Sequence, residues 1–371
     1  MNKRSLNIII AGGGTGGHLF PGIAIAEAFM ARDSKNRILF VNTGNPFEVS
    51  VLSERGFNRK TITAEPIKGR GILQKTGALL KIPKGIYESI RILKKFNPDL
   101  VVGMGSYSSG PMIIGAWILG IATVIHEQNI FPGITNRVLA PFADRIYISF
   151  ENTKALLDPE KTYLTGNPVR KDILKCEMAK EKSGIEDNLR DHSFLILVLG
   201  GSQGAHGINM AVIDALKDLE EKDTYFFVHQ TGALDEKRVK DAYMIHGISA
   251  GVQPFFNDMC HQYEKADLII CRAGATTVAE IAVIGKGVIF VPYPFAADNH
   301  QVLNAQALVD KGGAEMILEK DLSGRVLAEK ISYYASNPNT LELMAKKSKE
   351  VSRPDAAEIL VDDCYHLIEN T

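Results

Sequence analysis

One local pattern constrains this chain more than any other: a buried strand that runs into a glycine turn and then a helix, found twice. Asn7-Ile8-Ile9-Ile10-Ala11 leads into Gly12-Gly13-Gly14-Thr15-Gly16-Gly17-His18 and a helical run from Pro21 through Met30. Midway, Phe194 to Leu199 leads into Gly200-Gly201-Ser202-Gln203-Gly204-Ala205 and a helical pattern through Leu219. Apolar runs without polar alternation read as parallel strands covered on both faces. Strand, glycine turn, helix is the opening unit of a doubly wound α/β domain. Gly12 and Gly200 stand about half the 371-residue chain apart, so the spacing predicts two Rossmann-like domains in tandem. Roughly 150 residues per domain leads to the same number.

The rest of each half alternates in the same way. Arg37 to Asn42, Leu100 to Val102, Thr123 to Ile125 and Arg145 to Ile148 are short strand candidates in the first half. Tyr225 to His229, Asp267 to Cys271 and Val288 to Val291 follow in the second. Thr165-Gly166-Asn167-Pro168-Val169-Arg170 punctuates the pattern as a linker, and Lys180 to His192 reads as a polar surface insertion. The expected division is 1–168 for an N-terminal domain and 169–354 for a C-terminal one. A last amphipathic helix, within about 355–371, could pack back on the first domain, and the sequence does not place it.

Composition removes several classes of function. With 42 Lys+Arg against 43 Asp+Glu, no global field favours nucleic acid. A hydrophobic content of 45% is too high for a disordered chain. Cys176, Cys260, Cys271 and Cys364 form no CxxC pair or dense cluster, so buried thiols in a reducing compartment are expected. Met1 to Ile10 runs into glycines without the apolar stretch and small-residue cleavage site of a signal peptide. The uncharged stretch between Asp99 and Glu127 is broken by Gly103, Gly105, Gly110 and Pro111, too short for the roughly 20 residues of a spanning helix.

The glycine loops admit two readings. Gly12, Gly14 and Gly17 fit G-x-G-x-x-G, but the second strand ends in Val41-Asn42-Thr43-Gly44 with no acid until Glu48. That argues against a dinucleotide, whose ribose needs a carboxylate there. No G-x-x-x-x-G-K-[ST] occurs, which removes a P-loop. Each loop, backed by a helix N-terminus, either holds phosphate or is a tight turn without a ligand.

A third glycine site is Arg272-Ala273-Gly274-Ala275-Thr276-Thr277-Val278-Ala279-Glu280. Thr277 and Glu280 have capping-box spacing; the alternative is a helix start that takes phosphate while Glu280 accepts from ribose hydroxyls. Gln301, after Asp298-Asn299-His300, either serves sugar hydroxyls or belongs to a cap. In the first half, Gly103-Met104-Gly105-Ser106-Tyr107 and His126-Glu127-Gln128-Asn129 each follow a strand. Loops there gather at the usual active-site edge of a parallel sheet. His126-Glu127 lacks the second His of a zincin, and no Asp-x-Asp is present to hold a divalent cation.

Taken together, GGTGGH (Gly13 to His18), GMGSY (Gly103 to Tyr107), HEQN (His126 to Asn129), GNPVR (Gly166 to Arg170), GGSQGA (Gly200 to Ala205) and Cys271 to Glu280 resemble one family in order and spacing. It is the MurG family, the UDP-N-acetylglucosamine transferases that complete lipid II in bacterial cell-wall synthesis. The resemblance implies an α/β GT-B fold, with two Rossmann-like domains facing across a cleft. It implies a hexosyltransferase that moves GlcNAc, with inversion, from UDP-GlcNAc to the 4-hydroxyl of MurNAc in lipid I, with no cofactor and no metal.

On the donor side it implies Thr15, Gly16, Gly17, Asn129, Arg170, Ser202, the backbone at Phe256, Ala275, Thr276, Thr277, Glu280 and Gln301. On the acceptor side it implies Gly14, His18, Tyr107 and His126. The base expected for the attacking hydroxyl is His18, whose imidazole type titrates near the working pH, with Glu127 second; His18 could instead only bind the acceptor pyrophosphate. Two positions depart from the family pattern: Ser106 stands where GMGGY has glycine, and His300-Gln301 replaces a pair of glutamines. A UDP-GlcNAc 2-epimerase-like isomerase, a GT-B glycolipid galactosyltransferase and a non-catalytic nucleotide-binding module are the competing readings.

A lipid acceptor implies a membrane surface, at the cytoplasmic face of the inner membrane. Between Ile67 and Phe96 the chain carries Lys68, Arg70, Lys75, Lys81, Lys84, Arg91, Lys94 and Lys95 against the single acid Glu88. Ile72, Leu73, Leu79, Leu80, Ile82, Ile86, Ile90 and Leu93 are interleaved. A basic amphipathic stretch of this kind suits an anionic leaflet. An ordinary solvated helix packing its apolar side on the core is the alternative. Trp117, the only tryptophan, falls in another apolar segment that could join the same surface.

Overall fold

The computed structural model describes residues 5–65, 72–176, 194–201 and 203–369, and within these the side chains of 72–80 are not described. The insertion expected at Lys180 to His192 lies outside the described residues. The chain divides into two compact units, Met1–Arg170 with Arg353–Thr371, and Lys171–Ser352.

The first unit is built on β1 (Asn7–Ala11), β2 (Arg37–Asn42), β3 (Asn58–Thr61), β4 (Leu100–Gly103), β5 (Ala122–Glu127), β6 (Arg145–Ile148) and β7 (Thr162–Leu164). All pair in parallel, in the order β3-β2-β1-β4-β5-β6-β7. Ile8 registers with Ile38 on one side and Leu100 on the other. The unbroken isoleucine run of β1 follows from helices on both faces. Ile8 and Ile10 enter one core with Phe29 and Phe40, and Ile9 and Ala11 enter the opposite core with Val101 and Ile113.

The helix Ala356–Glu369 belongs to this unit. Leu360, Val361, Cys364 and Tyr365 complete the core under the helix Gly16–Arg32. Tyr147 donates to Asp363 at 2.8 Å, and Asn36 Nδ2 donates to the Tyr365 hydroxyl at 2.8 Å. These contacts fix the helix to both the sheet and the first crossover.

The second unit repeats the plan with β8 (Phe194–Leu199), β9 (Tyr225–Gln230), β10 (Ser249–Gln253), β11 (Leu268–Cys271), β12 (Gly287–Phe290) and β13 (Glu315–Met316). Its parallel order is β10-β9-β8-β11-β12-β13. In both sheets the order reverses beside the first strand, between β1 and β4 and between β8 and β11. The loops leaving those strands open on the crevice where such sheets bind ligands.

The thiols differ in part from expectation. Cys271 and Cys364 are free and buried, and burial pushes the Cys364 thiol up to about 12. Cys176 and Cys260 instead form a disulfide, their Cα atoms 6.1 Å apart. The two are 84 positions apart in sequence, and only the approach of residue 176 to the helix Met259–Lys265 brings them together. Among the described residues no helix is long and apolar enough to cross a membrane.

Candidate active site

In the first unit the glycine loop after β1 lies against the loop after β4. Gly13 N–H donates to Ser106 Oγ at 3.1 Å, and Ser106 Oγ pairs with Ser108 Oγ at 2.7 Å. The serine that departs from the family pattern therefore takes up a glycine-loop amide. Gly14, held at φ +90°, donates its N–H to the Glu48 carboxylate, and the Tyr107 ring lies close enough to meet any Cβ placed there. Glu48 is wholly buried, and that burial raises its pKa against the opposing pull of the Gly14 and Asn45 amides. The helix Gly16–Arg32 starts at Thr15 with no side-chain cap. The Thr15 carbonyl instead accepts the His18 and Leu19 N–H groups at 3.3 and 3.1 Å, so backbone alone closes the first turn that carries His18.

His18, half-buried in that first turn, places Nδ1 at 2.9 Å from Gln128 Oε1. Gln128 Nε2 stands 3.2 Å from Met104 O, 3.2 Å from His126 O and 3.0 Å from His126 Nδ1. His126 Nε2 donates to Gly166 O at 3.1 Å. His126 is thus wholly buried with both nitrogens bonded inside the unit. Its two ring nitrogens are spent within the unit, in place of the acceptor contact its motif led one to expect of a free side chain. Burial lowers its pKa to about 4, opposed by the Gly166 carbonyl, so the ring is neutral near neutral pH.

Glu127, the second candidate base, is also buried. Its Oε1 accepts from Asn129 N–H at 3.0 Å and Asn129 Nδ2 at 3.2 Å. Its Oε2 accepts from Gly133 N–H and Asn136 Nδ2, both at 2.9 Å. A carboxylate with four donors on its two oxygens orders the turn that presents Asn129 and has little acceptor capacity for a substrate proton. Arg170 closes the unit's chain segment with its guanidinium 4.5 Å from the centre of the Phe20 ring.

In the second unit, Gly204 at φ +81° lets the loop after β8 touch β9's exit, since a Cβ there would stand 2.2 Å from Thr231 O. Ser202 lies outside the described residues. Gln230, the last residue of β9, donates to Gly201 O at 2.9 Å and accepts the Phe256 N–H at 3.0 Å. One side chain therefore ties the glycine loop to the segment expected to face uracil. Sequence reading missed Gln230; the only signal was a polar residue closing a buried strand at its carboxyl end.

The helix Ala275–Ile284 starts at Gly274 with no side-chain cap, so Thr277 and Glu280 form no capping box. Thr277 lies inside the first turn. Glu280, 4% exposed, accepts from the Tyr263 hydroxyl at 3.1 Å. Gln301 Oε1 accepts the Tyr293 N–H at 2.9 Å, so a sugar hydroxyl would meet its amino group. Its helix starts at Asn299 with φ +52° and no side-chain cap either. His300 turns away, donating Nδ1–H to Ala297 O at 2.7 Å. In each unit a helix without a side-chain cap thus follows the carboxyl end of a central strand, at Gly16 and at Ala275, the kind of helix start on which anionic oxygens are stabilised.

Residues 8–148 match the glycosyltransferase family 28 N-terminal domain, and residues 195–360 match its C-terminal domain. A Syntrophus aciditrophicus protein named UDP-N-acetylglucosamine--N-acetylmuramyl-(pentapeptide) pyrophosphoryl-undecaprenol N-acetylglucosamine transferase is 46% identical, over 98% of this chain and 99% of its own. The crystal structure of Acinetobacter baumannii MurG superposes with a TM-score of 0.77 at 30% identity, over 99% of this chain and 100% of that one. A Neisseria meningitidis UDP-GlcNAc 2-epimerase crystallised with UDP-GlcNAc gives a TM-score of 0.68 at 16% identity, over 97% of this chain and 99% of that one, a likeness of fold alone.

Proposed function

The chain belongs to glycosyltransferase family 28, and from that membership we propose how its two units divide one reaction. It is a hexosyltransferase of peptidoglycan synthesis that moves GlcNAc from UDP-GlcNAc to the 4-hydroxyl of MurNAc in undecaprenyl-pyrophosphoryl-MurNAc-pentapeptide, converting lipid I to lipid II. The observation that carries this is 46% identity with a transferase of that name across nearly the whole of both chains. The epimerase likeness extends to the fold only.

The second unit takes the donor. Amides of the loop Gly200 to Ala205, including Ser202, and of the helix start at Ala275, Thr276 and Thr277 receive the diphosphate. Glu280, steadied by Tyr263, accepts from ribose hydroxyls, and the backbone at Phe256 faces uracil. The Gln301 amino group meets the GlcNAc hydroxyls. From the first unit, Thr15, Gly16, Gly17, Asn129 and Arg170 complete the donor contacts, while Gly14 and Tyr107 serve the acceptor.

The acceptor's 4-oxygen attacks the anomeric carbon as the bond to UDP breaks, and His18 takes the hydroxyl proton. Glu127 orients Asn129 rather than sharing that role. The negative charge developing on UDP is met by amide dipoles already in place.

The same reading places the protein on an anionic membrane through about 67–96. The helix Ile72–Phe96 packs on Ser109–Ile118, which in turn packs on Ile134–Leu139. Trp117, Ile118, Ile134 and Val138 on those helices are exposed, an apolar surface beside basic residues. The part of the stretch before Ile72, with Lys68 and Arg70, lies outside the described residues.

Incubation with labelled UDP-GlcNAc, with and without a lipid I analogue, tests the function. Lipid-dependent UDP release is expected. ManNAc formed without acceptor would establish the epimerase, and binding without turnover would establish a binding module.

A further inference from the structure

We propose that Gln128 is a positioning residue that fixes His18 as the Nδ1–H tautomer, so that the Nε2 lone pair is the proton acceptor. The inference rests on His18 being the base, and adds what sets its chemical state.

The orientation of the Gln128 carboxamide follows from its neighbours. One end of the group stands 3.2 Å from two backbone carbonyls, Met104 O and His126 O. Carbonyl oxygens only accept, so the amino group must be at that end. A flipped amide would set its oxygen against both carbonyls inside a side chain that is 1% exposed, leaving that buried oxygen without a donor from either. His126 supplies a second, independent constraint. Its Nε2 is 3.1 Å from Gly166 O and must donate there, so its Nδ1 is an acceptor, and the group 3.0 Å away is again the amino end of Gln128. Burial holds His126 at about 4, so near neutral pH its Nδ1 keeps the lone pair and the direction of the chain does not reverse.

Gln128 Oε1 therefore faces His18 Nδ1 at 2.9 Å as a pure acceptor, and Nδ1 must carry the hydrogen. In a neutral imidazole one nitrogen donates and the other accepts, and the partner of one decides the state of the other. The base is thus the nitrogen turned away from Gln128. When Nε2 takes a proton, Nδ1–H still donates to the same oxygen, so neither side chain rearranges during transfer. A neutral carboxamide does here what the buried aspartate does for tautomer and orientation in a Ser-His-Asp triad, without adding charge.

The test uses the full-length protein labelled with 15N-histidine, with His18 assigned by its loss in His18→Asn. Long-range 15N–1H correlation near neutral pH is expected to show a protonated Nδ1 and a lone-pair Nε2. Gln128→Met removes the acceptor. It should move His18 toward the Nε2–H tautomer and lower kcat about 10- to 100-fold, the scale of a misplaced general base, with both KM values within about twofold. Gln128→Glu, whose protonated form keeps an oxygen toward His18 and an O–H toward the carbonyls, should retain the wild-type tautomer and most of the turnover. A wild-type His18 in the Nε2–H form overturns the proposal, as does a Gln128→Met protein with unchanged tautomer. His18→Asn with full turnover overturns the base assignment beneath it instead, since the tautomer spectra stand apart from that measurement.

Discussion

Acidification should loosen the second unit through one histidine, and the size of the effect follows from how that residue is held. His229 is fully buried in β9. Its Nε2–H donates to Asn209 Oδ1 at 3.0 Å and its Nδ1 accepts from the Tyr243 hydroxyl at 3.1 Å. Asn209 spends its own amino group on Thr231 O and Asp235, which fixes its oxygen toward Nε2, so a second ring proton on Nδ1 would displace the hydrogen bond that the Tyr243 hydroxyl donates there. Burial lowers the His229 pKa from 6.5 to about 3, against a weaker upward pull from Asp235.

A depressed folded-state value means that the stability is present above pH 6.5 and is lost as the pH falls toward 3. At pH 5 the unfolded chain already binds this proton and the folded one does not, which costs about 2 kcal/mol. Urea unfolding followed by circular dichroism at pH 7.5 and pH 5 measures it. His229→Gln can keep both hydrogen bonds and cannot ionise. Its loss of stability between the two pH values should be smaller than that of the wild type by about 2 kcal/mol. Carboxylates, and the buried His126, contribute alike to both proteins and cancel. Equal pH slopes in variant and wild type would refute the reasoning.

Two further outcomes follow from packing and charge. Leu360, with no exposed surface in the core beneath Gly16–Arg32, should cost about 3.5 kcal/mol when replaced by Ala, the middle of the range for buried leucines; equilibrium unfolding of Leu360→Ala checks it, and a cost below about 1 kcal/mol would mean that the helix contributes little to that core. Neutralising Lys75, Lys81 and Lys84 should weaken binding to anionic vesicles at least tenfold at low salt. Each near-surface lysine contributes about 1 kcal/mol, partly offset because Lys81 faces Glu65 and Lys84 faces Glu88; unchanged co-sedimentation with vesicles would remove this surface from membrane binding.

The α/β class, and the tandem repeat of one plan, could be read from the chain because central parallel strands are covered on both faces and write themselves as unbroken apolar runs. Ile8-Ile9-Ile10 and Phe194 to Leu199 are of that kind. The sheet edges were illegible for the complementary reason. β3 is Asn58-Arg59-Lys60-Thr61, exposed throughout, and an edge strand needs polar side chains more than an apolar pattern. At the site, glycines and His18 stood out because turn geometry demands particular residues. Gln128, Gln230 and Tyr263 did not, since a lone polar residue carries no periodicity.

What the sequence determined by itself is therefore local: strand, turn and helix, and hence the type of sheet and the loops that leave its carboxyl edge. What tertiary structure alone decided is which distant groups share a hydrogen bond. The helix Ala356–Glu369 was visible as an amphipathic segment, but its place beneath Gly16–Arg32 depends on an apolar face that several partners could cover. Cys176 and Cys260 meet only when chain 84 positions apart is folded together. His126 and Glu127 look like chemistry in their motif, and burial makes one neutral and surrounds the other with donors. Reactivity depends on solvation and on hydrogen-bond partners, which a linear pattern does not specify and a folded chain does.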